Sequence, residues 1–206
     1  MMARVPGPRN IATALLFSLA AVSVVSAQDL LSPAGRSDRP QGAEDAPVTL
    51  IEYSSPTCGH CVVYHNDVAP RVHTEYVKTG KVRLIYRPFV RNAIDAAIFM
   101  LAESRTGDEY NVVLDAYYRR YNDIAGASNV RALLEEIAET VGINGVEFER
   151  VLSDRNGLEP IQQLTGQAVN EFGVRGTPTF FINSKMHVGG LTFETVSAAI
   201  DTELMQ

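Results

Sequence analysis

What most constrains the fold of this chain is an abrupt change of period around its only two cysteines, Cys58 and Cys61. Upstream, Val48-Thr49-Leu50-Ile51-Glu52-Tyr53 is apolar and β-branched, bounded by Pro47 and by Ser54-Ser55-Pro56, which predicts a buried strand. Downstream, Val62, Val63, Tyr64, Val68, Val72 and Tyr76 recur at helical spacing until Gly80 closes the segment. The motif Cys58-Gly59-His60-Cys61 therefore occupies a strand-to-helix turn, with Cys58 at or near the helix N-terminus. Unpaired backbone N–H groups and the positive end of the helix dipole favour a thiolate there. Cysteine in such places ionises at roughly 3.5–7.5 instead of about 8.5. A protonated His60 between the sulfurs adds a positive charge and a donor.

As a structural staple the pair has little use, because a disulfide gains by closing a long loop and this loop is among the shortest. As chemistry it divides the labour: Cys58, ahead of the helix, is expected to be exposed and attackable. Cys61, one turn inside, is expected to be shielded and to resolve a mixed disulfide. A competing reading is a metal site, since Cys58, His60, Cys61 and His65 are all plausible ligands. One helical turn is poor at closing a tetrahedron, so no metal and no cofactor is expected. His65, His73 and His187 read as surface or satisfied histidines.

The first residues read as a targeting segment. Arg4 and Arg9 precede an apolar run from Ile11 to Val25, and Val25-Ser26-Ala27 follows with a peptidase-like pattern. The run is short of the roughly 17–25 residues that span a bilayer. A cleaved signal peptide over residues 1–27 is expected, with a membrane-anchored form as the alternative, then an N-terminal linker over 28–42. Two of the 18 Lys and Arg and none of the 24 Asp and Glu fall in the leader, so the remainder carries a net charge near −8. An acidic surface without a basic stripe argues against a nucleic-acid partner.

Lys81 to Arg87 predicts a second strand, ending at Pro88. From Asn92 to Phe172 the period is helical. Ile94, Ala97, Ile98 and Leu101 make one face, and Tyr110, Val113, Leu114, Tyr117, Tyr118 and Tyr121 make another. Asn144 and Glu147 form a capping-box pattern. Thr179 to Asn183 and Lys185 to Val188 read as a hairpin, and Thr192 to Leu204 as a closing helix.

This order, with the dithiol after the first strand and Gly176-Thr177-Pro178 before the third, resembles the thioredoxin fold. The long helical stretch resembles the insertion of the DsbA-like thiol:disulfide oxidoreductase family. The resemblance covers residues 42 to 204; Gly-His between the cysteines departs from the commoner Pro-His and is similar to protein disulfide isomerases. It implies an α/β fold with a central mixed sheet, flanking helices and a helical insertion over about 90–157, within a domain over 43–204. It also implies that Pro178 is a cis-proline beside the dithiol, that Thr177 offers its backbone to an extended substrate peptide, and that Glu52 is a buried acid beneath the dithiol. A carboxylate on a buried strand is costly without a task, and moving a proton to or from Cys61 is such a task.

The function so implied is periplasmic introduction of disulfides into exported polypeptides by exchange at a redox-active Cys58–Cys61 disulfide. Reoxidation would come from a membrane partner similar to DsbB. Isomerases of this kind usually carry a dimerisation domain, and only about 20 residues separate the leader from the first strand, so a monomer is expected. A reductase or isomerase of the same fold is the alternative; in another class, a non-catalytic peptide-binding chaperone or a metal carrier.

Overall fold

The computed structural model describes residues 30–206, so the signal-peptide reading of residues 1–27 lies outside the described residues. The strands are β1 (Pro40–Gln41), β2 (Val48–Ser54), β3 (Val82–Pro88), β4 (Thr179–Ile182) and β5 (Lys185–Val188). They form one mixed sheet in the order β1-β3-β2-β4-β5. Strands β2 and β3 are parallel, with Glu52 beside Tyr86, and the other pairs are antiparallel. The hairpin turns at Asn183, whose φ of 52° lies in the left-handed region that asparagine tolerates.

Residues 59–77 are helical throughout and are called α1. The run is α-helical at Gly59–Val63 and Ala69–Val72, and π-helical at Tyr64–Val68 and His73–Val77. The wide turn before Ala69-Pro70 has a local cause: Pro70 has no N–H to return to the turn behind it, and its ring displaces that turn's carbonyl. The helices of the insertion are α2 (Ala93–Glu103), α3 (Glu109–Arg119), α4 (Tyr121–Gly126), α5 (Val130–Thr140) and α6 (Gly145–Ser153). Then come α7 (Arg155–Asn170) and α8 (Phe193–Leu204). Asn144 caps α6 as its pattern predicts, accepting from the Glu147 N–H at 3.0 Å.

Alternation along β2 sorts the core. Val48 and Leu50 pack with Tyr64, Val68 and Val72 of α1 and Val196 and Ile200 of α8. Ile51 and Tyr53 pack on the opposite face with Ala168, Phe172 and Phe181. A third cluster is the insertion itself, in which Tyr110, Tyr117 and Tyr118 are buried and into which Cys58 and Cys61 are built. Of the tyrosine face, Tyr110, Tyr117 and Tyr118 are core, and Tyr121 is half-buried.

The stretch 30–41 packs onto the sheet. Leu30 is buried with Ile51 and Phe181, and Gly35 lies so close to α7 that a Cβ there would come within 2.7 Å of the Pro160 carbonyl oxygen. Asp38 pairs with the fully buried Arg87 at 2.7 Å, and Arg87 also donates to the Tyr53 hydroxyl and the Leu30 carbonyl.

Candidate active site: a dithiol at the mouth of a helix

Strand β2 ends at Ser54, and Ser55-Pro56-Thr57 leads into Cys58, which takes the N-cap position of α1 with extended backbone (φ −102°, ψ 115°). Both cysteines are free thiols. Cys61 is fully buried, whereas Cys58 keeps 8% of its surface. The exposure expected of Cys58 is therefore corrected to a narrow opening. The reason is the turn at Thr177-Pro178, whose Thr177 carbonyl oxygen lies 3.2 Å from Cys58 Sγ. The Thr177–Pro178 peptide bond is cis, as the resemblance implies. Cys58 is still the more reachable of the two.

The thiols differ sharply in acidity. Cys58 is pulled from the usual 9.0 down to about 5, chiefly because the Cys61 thiol donates to it. Burial opposes this, while the Thr177 hydroxyl, the Cys61 backbone N–H and the Arg91 charge assist. Burial pushes the Cys61 thiol far above the usual range, and its hydrogen bond to Cys58 pushes the same way. One sulfur is held as an anion and the other as a thiol. Alkylation of Cys58 by iodoacetamide is accordingly expected to fall with a midpoint near pH 5; a midpoint at 9.0 would show an unactivated thiol.

Of the other residues singled out in the sequence, His60 is exposed at the dithiol turn, with Gly190 opposite its ring. Gly59 leaves room for the Tyr121 hydroxyl, which a Cβ would approach to 3.4 Å. Glu52 is 3% exposed, on the central strand and far from any sheet edge. Its Oε1 has no hydrogen-bond partner, and burial lifts its carboxyl from 4.5 to about 7, against the opposing pull of the Ser54 hydroxyl and of His65. It borders a cleft of about 250 Å³ shared with His65, His73, Tyr86, Asn111 and Asp115. His65 pairs with Asp115 at 2.6 Å and stacks on Tyr118. Among the described residues, no group of three or more His, Cys, Asp or Glu is placed to hold a metal ion.

Four contributors were not singled out in the sequence. Ser54 joins Tyr118 and then Tyr86 in a buried hydroxyl chain at 3.0 and 2.8 Å, and it also hydrogen-bonds Cys61. Ser55, Arg91 and Asp95 frame the turn before Cys58. The one local signal was Asn92 followed three residues later by an acid, a cap pattern at the start of α2.

Residues 36–202 match the family model described as Thioredoxin. A Rickettsia bellii protein named as a protein-disulfide oxidoreductase is 29% identical over 162 residues, which is 78% of this chain and 62% of that protein. The chain thus spans about three-fifths of the length of that curated relative. Among solved structures, alpha-DsbA1 of Wolbachia pipientis matches with a TM-score of 0.76 at 27% identity, over 86% of this chain and 95% of that one. BdbD from Bacillus subtilis matches with a TM-score of 0.70 at 17% identity, over 84% and 96% respectively, a likeness of fold alone.

Proposed function

The chain belongs to the thioredoxin family, and from that membership and its dithiol we propose a DsbA-like thiol:disulfide oxidoreductase that oxidises exported polypeptides in the periplasm. The observation that carries this reading is the split between the two sulfurs: Cys58 is stabilised as a thiolate and Cys61 is held protonated. A dithiol whose reduced form is stabilised in this way is a stronger oxidant as a disulfide.

In the oxidised state a substrate thiolate attacks Cys58 Sγ, the Cys58–Cys61 bond breaks, and Cys61 leaves and takes up a proton. A second substrate thiolate then attacks the substrate sulfur of the mixed disulfide, and Cys58 leaves as a thiolate. Two electrons pass from the substrate to the enzyme pair, and of the two substrate protons one stays on Cys61. Glu52, its carboxyl raised to about 7, is the group assigned in this reading to exchange that proton. The Thr177 backbone pairs with the extended substrate, and Pro178 offers an uncharged surface without an N–H beside the sulfurs. A membrane partner similar to DsbB restores the disulfide.

The test is a Cys61→Ala variant expressed in cells, which is expected to accumulate mixed disulfides on Cys58. Identification of many newly exported chains supports the oxidase. A single dedicated partner protein would instead assign a specialised reductase and sink this reading.

A further inference from the structure

Asp95 carries a fully buried carboxylate in the first turn of α2. A buried anion costs several kcal/mol unless donors replace the water it loses. Here the Ser55 hydroxyl lies 2.9 Å from both carboxylate oxygens, the Thr57 N–H donates to Oδ1 at 3.1 Å, and the Arg91 N–H donates to Oδ2 at 3.0 Å. The helix start itself is closed by Asn92, whose Oδ1 accepts from the N–H groups of Ile94 and Asp95. Every side-chain hydrogen bond of the Asp95 carboxylate therefore goes to the two loops that frame Cys58.

Those loops set the environment of the sulfur. The Ser55 carbonyl accepts from the Cys58 N–H at 3.1 Å, so fixing Ser55 fixes where α1 begins. Asn92 Nδ2 donates to the Thr57 hydroxyl at 2.8 Å and ties down the same stretch. Arg91, whose backbone Asp95 holds, is the cation that acts on Cys58.

We propose that Asp95 is a positioning residue for thiol–disulfide exchange: through one carboxylate the helical insertion holds Ser55, Thr57 and the Arg91 backbone, and with them the turn that presents Cys58 at the start of α1. The proposal rests on the exchange reading above and extends it to a residue outside the thioredoxin half.

The experiment is a pH titration of Cys58 in the reduced protein, by ultraviolet thiolate absorbance and alkylation rate, in wild type and Asp95→Asn. Asparagine keeps the volume but replaces an acceptor oxygen with an amide donor aimed at existing donors. The loops are expected to loosen and the Cys58 midpoint to rise by about one unit, slowing alkylation below that midpoint about tenfold. Cys61, Thr177, Arg91 and His60, the groups around Cys58, are unchanged in the variant. Removing a negative charge without moving the loops predicts the opposite sign, so a fall or an unchanged midpoint overturns the proposal. Should Asp95→Asn not fold, Ser55→Ala keeps the charge and removes one donor; a rise is again expected, and no change overturns the proposal. Neither titration needs a substrate. A wild-type protein inactive in exchange would sink the function while leaving this test intact.

Discussion

Replacing Cys58 with alanine is expected to lower the oxidation of a reduced dithiol peptide by on the order of a thousandfold or more, to the level of the peptide alone. The size follows from the absence of a substitute. Cys61 is sealed in the cluster formed by the insertion, and burial holds it as a thiol, so it can neither receive an incoming thiolate nor attack a substrate in place of Cys58. The measurement is peptide oxidation in a glutathione buffer, with Cys61→Ala alongside to retain the first covalent step. Residual oxidation by Cys58→Ala within tenfold of wild type would remove the dithiol from the mechanism.

Glu52→Gln is expected to change stability in a pH-dependent way, by up to about 3 kcal/mol. In the folded protein the Glu52 carboxyl ionises near 7, and in the unfolded chain near 4.5. A folded-state value raised above the unfolded one stabilises the fold fully below about 4.5, and that contribution is lost as pH rises through about 7. The neutral glutamine has no such loss. Denaturant unfolding of the reduced protein should therefore give nearly equal stabilities at pH 4 and a more stable variant at pH 8. On the proposed proton-exchange role, the same variant should also slow proton uptake at Cys61 even as the fold strengthens. Equal stability differences at both pH values would show that Glu52 does not titrate as a buried acid.

The parts of this molecule that repeat locally were legible in the sequence. Strand β2 and α1 announce themselves by period, the hairpin by its β-branched and aromatic runs, and α6 by Asn144 and Glu147. Cys58 and Cys61 were legible as chemistry because three-residue spacing is nearly useless as a staple. The remainder depends on partners far along the chain. Thr177, which narrows the opening at Cys58, lies 119 residues away from it. Asp38 and Arg87 meet across 49 residues, and Ser55 and Asp95 across 40. No window of sequence reports such pairs. Arg87 reads as one polar position in an alternating strand, and Asp95 as one acid near a helix start.

Cys61 shares its apolar surroundings with Phe99, Tyr117 and Tyr118, all carried by the insertion. A shortened protein that joined β3 directly to α7 would thus not be a minimal exchange enzyme. It would strip one wall from the sulfur, leave the Ser54 and Ser55 hydroxyls facing water, and let the silent thiol ionise. Engineers seeking a smaller catalyst from this chain should trim the far side of the helical block, around α5 and α6, and leave α2 and α3 in place.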